Sequence, residues 1–200
     1  MDIEKWKNWR EYPKYQALRA KLENQRLKKI MHWTFAVAVA LVFAILTAIL
    51  LFQTVTIQES AMEPTLNVGE KFFVNRAGYK FSSPERGDLI VFRTSASDDV
   101  ALHIRRIVGL PGETVTIQDG KIYIDGEVYQ EAGDFPAIEN PGLAKNGITL
   151  GSGEYFVLGD NRNNSEDSRY PSVGPVKKRY IVGKLWFLVS PRSKAGVLKG

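Results

Sequence analysis

The sequence predicts a mainly β domain, built largely of antiparallel strands, behind one N-terminal transmembrane helix. Three observations carry that expectation. Residues 33–52 form a twenty-residue run without a formal charge, WTFAVAVALVFAILTAILLF. After it the pattern changes to short runs of β-branched and aromatic residues separated by Gly, Asp and Pro turns. Before it lies all of the excess positive charge: residues 1–29 hold nine Lys/Arg against four Asp/Glu, and the remaining 171 hold eighteen of each sign.

At about 1.5 Å rise per residue, the apolar run makes a helix about 30 Å long, the thickness of a bilayer hydrocarbon core. Thr34 and Thr47 can bond back to helix carbonyls and so cost little there. A buried core helix would not need twenty uninterrupted apolar residues beside a basic arm. A cleaved signal peptide fits badly, because the run starts after more than thirty residues. The domain division is therefore a basic arm over 1–30, a transmembrane helix over 31–52 and an outer β domain over 53–200. The positive-inside rule puts the arm in the cytoplasm and the rest outside the plasma membrane. The arm reads as a short juxtamembrane helix able to meet anionic headgroups, so the lipid bilayer is one partner.

Candidate strands are Gln53–Gln58, Lys71–Asn75, Leu89–Arg93, Ala101–Val108, Thr114–Gln118, Lys121–Ile124, Glu127–Tyr129, Tyr155–Leu158 and Ile181–Val189. Asp119-Gly120 marks the clearest hairpin, because Asp-Gly tolerates the positive φ of a tight turn. Asp125-Gly126 repeats the device. No outer stretch sustains a 3.6-residue period. Residues 131–153, rich in Gly, Pro, Asn and Ala, read as a surface loop or insertion.

Composition excludes several chemistries. With no cysteine there is no disulfide, thiolate metal site or cysteine nucleophile. Two histidines, His32 and His103, do not make a histidine-rich metal site. The neutral body argues against nucleic acid as a partner.

Four blocks stand out in order. They are Glu59-Ser60-Ala61-Met62-Glu63-Pro64-Thr65-Leu66, then Arg86-Gly87-Asp88-Leu89-Ile90-Val91-Phe92, then His103-Ile104-Arg105-Arg106-Ile107-Val108-Gly109-Leu110-Pro111-Gly112-Glu113, then 159–169, GDNRNNSEDSR. Behind a basic arm and a single span, this series resembles the type I signal peptidases, membrane-anchored serine proteases that remove signal peptides from exported proteins. The resemblance runs from the apolar helix to about Ser190. It implies a signal-peptidase-like β domain at the outer membrane surface and a Ser–Lys dyad, with no cofactor and no metal. It also implies signal peptides or preproteins as partners, and cleavage after small residues at −1 and −3 in an active member. In the family the serine precedes the Met-x-Pro-Thr-Leu run and the lysine precedes Arg-x-x-Gly-x-Pro-Gly. The lysine must be neutral to take the serine proton, which apolar burial favours.

Both positions depart from the family here. Ala61 stands at the nucleophile position and Arg105 at the general-base position. Alanine has no nucleophile, and arginine stays protonated. Ser60 is a substitute nucleophile only if a bulge turns it in, because strand alternation points it away from the site. His103 shares the face of Arg105 on a strand and could act as a base; some distant signal peptidases use histidine there. Ser165 matches the serine that bonds the family's lysine. Arg106, Asp160, Asn161, Asp167 and Arg169 match its supporting shell, and Met62 and Pro64 its substrate groove. Arg105 is expected to pair with Glu59 or Glu63, and apolar surface around Met62 to dip into the bilayer. A serine endopeptidase fold without its dyad points to a pseudoenzyme that binds exported proteins, with surface-fibre or secretion components as further partners. Two alternatives stay open: an active peptidase using Ser60, and an active enzyme's sequence altered at both positions.

Overall fold

The computed structural model describes residues 13–95 and 101–198, with the side chains of 49–52 left aside. The first twelve residues of the basic arm lie outside that range. The chain divides into two units at Leu50/Leu51.

The first unit is one helix, α1 (Pro13–Leu51). The arm from Pro13 onward is thus no separate juxtamembrane helix but the start of the same one. The reason is local: residues 14–51 contain neither Gly nor Pro, and 14–29 are mostly strong helix formers. Pro13 sits at the first helical position, where its missing N–H costs nothing. Arg19 and Glu23 add an i,i+4 pair at 3.6 Å. Thr34 and Thr47 donate to the carbonyls of Met31 and Phe43 at 3.0 and 2.8 Å. The helix is long and apolar enough to cross a membrane. It stops one residue short of the expected boundary, because Phe52 already opens the first strand.

Strands make up most of the regular structure of the second unit. An eight-stranded antiparallel sheet runs in the order β1 (Phe52–Thr56), β2 (Lys71–Asn75), β11 (Ile181–Ser190), β3 (Leu89–Phe92), β4 (His103–Gly109), β9 (Glu154–Leu158), β10 (Val176–Lys177), with β12 (Gly196–Val197) added on β11. A four-stranded sheet orders β7 (Glu127–Val128), β6 (Lys121–Ile124), β5 (Thr114–Gln118) and β8 (Ile148–Thr149). Among the described residues of this unit, Gly78–Phe81 form the one α-helix, α2. The β5–β6 turn places Asp119 at φ 48 and Gly120 at φ 74, the paired left-handed residues of a type I′ hairpin.

Three apolar clusters fill the domain. β3 is apolar at every position because both its faces are covered. Leu89 and Val91 join Ile57, Met62, Phe72, Val74 and Leu185 on one side. Ile90 and Phe92 join Ile107, Tyr155 and Val157 on the other. β9 shares its side chains in the same way, sending Phe156 and Leu158 to the cluster under the small sheet. The sequence expectation of surface apolar residues around Met62 is therefore overturned. Met62 is core, and the side chains of β3 are fully packed.

The segment 131–153 is also more than a loop. Ile138, Ala144 and Leu150 are buried in the small-sheet cluster, and β8 within it pairs with β5. Polar spacing hid these three anchors. Leu150→Ala is expected to cost about 2–5 kcal/mol in urea unfolding in detergent. Leu143→Ala, 41% exposed in the same segment, is expected to stay within about 0.5 kcal/mol. Equal effects would show the segment to be peripheral.

Candidate functional site

The site begins where β1 ends. Glu59 is extended, and Ser60–Met62 then close a single 3-10 turn, with the Glu63 N–H on the Ser60 carbonyl at 3.1 Å. The buried side chains of Met62 and Leu66 pull this turn against the core. The expected extended run through Ser60 is not formed, so strand alternation does not decide where its hydroxyl points.

Loop 159–169 clamps the turn. Asn161 donates its N–H to the Ala61 carbonyl at 3.0 Å and its side-chain amide to the Ser60 carbonyl at 3.1 Å. Asn164 donates to Ser60 Oγ at 3.2 Å. Gly159 allows the close approach: a Cβ there would meet the Ala61 carbonyl oxygen at 2.6 Å and strike the Ser165 side chain. Ala61 ends up buried.

Arg105 comes from the middle of β4 and is 1% exposed. Every nitrogen of its guanidinium is engaged. Nε and Nη2 donate to the Glu166 carbonyl at 2.9 and 2.6 Å, and Nη1 to the Ile104 carbonyl at 2.7 Å. Nη2 also meets Glu59 Oε2 at 2.9 Å. Of the two expected carboxylate partners, Arg105 takes Glu59. His103, two residues earlier on the same face, brings Nδ1 to 3.2 Å from Glu59 Oε1, outside hydrogen-bond alignment but close enough to act on its charge. Its ring lies 5.8 Å from that of Phe92. His103 first, then Arg105, hold the Glu59 carboxyl down to about 2 against the opposing pull of burial.

The hydroxyl of Ser165 is buried without a partner. Arg105 instead donates to the carbonyl of the next residue, Glu166. The rest of the shell is paired. Arg106 forks onto Asp160 at 2.9 and 2.8 Å, and Arg169 onto Asp167 at 2.8 and 2.9 Å. Asp167 also accepts the Gly159 N–H at 3.1 Å. A third fork, Arg162 on Glu131, was not legible in the sequence, because Glu131 lies in the segment read as a loop. Phe135, from that segment, lies 5.5 Å from the Arg106 guanidinium and 4.3 Å from that of Arg162.

A groove of about 310 Å³ opens beside the turn, lined by residues 53–59 together with Met62, Ala101, Leu102, Ile104 and Arg105. Met62 forms part of its wall. Pro64 is exposed and stands outside the lining, because the chain leaves the groove at the turn.

Removing Asp160 would leave Arg106 without its fork beside the site. Asp160→Ala is therefore expected to cost about 3–5 kcal/mol in denaturant unfolding; a loss under about 1 kcal/mol would show the fork to be dispensable. The depressed Glu59 carboxyl sets a second expectation. Its stabilising contribution is complete above its ordinary value of 4.5 and is lost as the pH falls toward 2. Melting the chain and Glu59→Gln across that window should show a shallower acid limb in the variant, and parallel limbs would contradict the coupling.

The family model for signal peptidase, peptidase S26, matches residues 30–190. Signal peptidase IB of Staphylococcus aureus (strain COL) is 31% identical over 182 residues, covering 84% of this chain and 93% of its own length. Signal peptidase I T of Bacillus subtilis (strain 168) is 32% identical over 178 residues, covering 86% and 91%. A crystal structure of a signal peptidase I from Enterococcus faecalis matches with a TM-score of 0.43 and 33% identity, over 52% of this chain and 97% of that one. With a family match over most of its length and relatives of this identity and coverage, the chain belongs to the signal peptidase family, peptidase S26.

Proposed function

We propose that this chain is a non-cleaving signal peptidase: anchored in the plasma membrane by α1, it binds signal peptides or preproteins in its groove outside the membrane without hydrolysing them. One observation carries the reading. The site pairs an alanine methyl at position 61 with a guanidinium at position 105 whose three nitrogens are all committed to Glu59, Ile104 and Glu166. Cleavage needs a hydroxyl oxygen to attack the peptide carbonyl and a base to take its proton. Ala61 offers no oxygen, and Arg105 cannot become a base.

What remains is built for holding an extended peptide. The groove wall is the outer edge of β1 and its continuation to Glu59, and β1 pairs on its other side with β2. An edge strand offers unpaired backbone groups to an added strand. Leu102, Ile104 and Met62 supply apolar wall. The basic arm on the cytoplasmic side sets the groove outside, where residues 53–59 follow the span directly in sequence. Exported proteins, surface-fibre subunits and secretion components are the occupants that such a location offers.

Cleavage through Ser60 is the rival reading. Ser60 lies on the same turn, and Asn164 donates to its hydroxyl from the clamping loop. The two readings separate when the full chain in detergent is mixed with a labelled signal-peptide substrate. Binding is followed by fluorescence anisotropy and new termini by mass spectrometry. Saturable binding with intact substrate is expected. Leu102→Asp should weaken that binding about tenfold or more, since burying one such side chain is worth about 1.5–3 kcal/mol. Cleavage at a signal-peptide site that is lost in Ser60→Ala would overturn the proposal in favour of the rival.

A further inference from the structure

We infer that Glu59 is a third lock on hydrolysis: ion-paired with the cation at position 105, its carboxylate would keep even a lysine there protonated, so restoring serine at 61 and lysine at 105 does not restore cleavage until residue 59 loses its charge. The inference rests on the non-cleaving reading above and deepens it.

The geometry carries the argument. Glu59 Oε2 lies 2.9 Å from Arg105 Nη2, and the extended backbone at Glu59, fixed by the turn that follows, aims the side chain at β4. A lysine at position 105 would project from the same Cα along the same buried path. Its amine would meet the same carboxylate. A general base of this kind must lose its proton near neutral pH, starting from an ordinary lysine value of about 10.4. Apolar burial lowers that value, whereas an opposite charge within about 4–6 Å raises it. Here the opposite charge comes with the site.

The other groups around position 105 do not offset it. On β4, Arg106 is closed on Asp160. From the clamping loop, Glu166 turns its carboxylate to the Ser172 hydroxyl and offers only its carbonyl. Ser165 supplies a neutral hydroxyl. His103 takes the second oxygen of Glu59 and so helps to keep the carboxylate ionised. Glu63, one residue past the turn, could add only further negative charge. The net local field at position 105 favours a cation. The same carboxylate, 41% exposed at its side chain and lining the groove, would also stand near the negative charge of a tetrahedral intermediate formed at position 61, a like-charge arrangement opposite to an oxyanion hole.

The test uses full-length chain in detergent and a signal-peptide substrate, with cleavage read by mass spectrometry from about pH 6 to about pH 10. Ala61→Ser/Arg105→Lys is compared with the same pair plus Glu59→Gln, which keeps the size of the side chain. Thermal melts establish that both are folded. The triple variant is expected to cleave about a hundredfold or more faster at neutral pH. Its rising pH limb should lie two or more units lower, each unit being tenfold in neutral amine. Equal rates with superimposed limbs would overturn the inference, as would a triple variant no more active than the double. A direct titration is independent of turnover: by NMR of the lysine Nζ, Arg105→Lys should titrate at higher pH than Arg105→Lys/Glu59→Gln. An amine indifferent to residue 59 also overturns it. Cleavage by the unmodified chain would instead remove the non-cleaving reading itself, an outcome distinct from these.

Discussion

A guanidinium cannot give up its proton, and Arg105 lies 1% exposed in the middle of the site. A buried charge without partners costs several kcal/mol. The surroundings of Arg105 are organised to prevent that cost: the Glu166 carbonyl takes two donors, the Ile104 carbonyl a third, and Glu59 supplies the counter-charge. The rest follows from that requirement. Glu59 must stay ionised, so the turn that carries it must hold its angle. The loop that offers Glu166 must stay pressed against β4.

Loop 159–169 meets its part through pairs that have nothing to do with a dyad. The forks Arg106–Asp160, Arg169–Asp167 and Arg162–Glu131 pin it to β4, to itself and to the 131–153 segment. Each Arg–carboxylate fork fixes orientation as well as distance. These contacts are satisfied whatever occupies positions 61 and 105. Chemistry and scaffold are therefore separable here in a physical sense: the side chains at 61 and 105 can change while the loop keeps its shape. Ser165 records the separation. Its hydroxyl is buried and unpartnered, a small unfavourable term that the loop tolerates because its own forks fix its position.

Much of this was legible in advance because it rests on local rules. β2, β5 and β6 fall on the expected residues, since alternation and the Asp-Gly turn specify them within a few positions. That Arg105 needs a carboxylate, Glu59 or Glu63, followed from the need to compensate a charge; the fold selects Glu59. β8, β10 and β12 were not legible, because each is a two-residue strand with no period of its own, formed only by pairing with a neighbour. The same limit hid Ile138, Ala144 and Leu150, which are spaced too irregularly to announce a core face. Alternation alone would extend the run through Ser60, whereas burial of Met62 bends Ser60–Met62 into a turn after an extended Glu59. No rule of spacing could pair Glu131 with Arg162, thirty-one residues on. That contact depends on how 131–153 folds over the small sheet.

The groove owes its shape to the core. Ile57, Met62 and Ile104 line it, and the same three side chains are buried with Phe72, Val91 and Leu185. A change that closed or reshaped the groove would have to repack that cluster, at about 2–5 kcal/mol for a large-to-small substitution. Position 61 is different: an alanine there has its methyl packed and needs no partner. Position 105 accepts a larger cation because Glu59 and two carbonyls are within reach. Substitution at positions 61 and 105 is thus inexpensive, while substitution along the groove wall is not. On the non-cleaving reading proposed above, the side chains at 61 and 105 change the chemistry while the core keeps the groove, and binding is the property that the remaining structure protects.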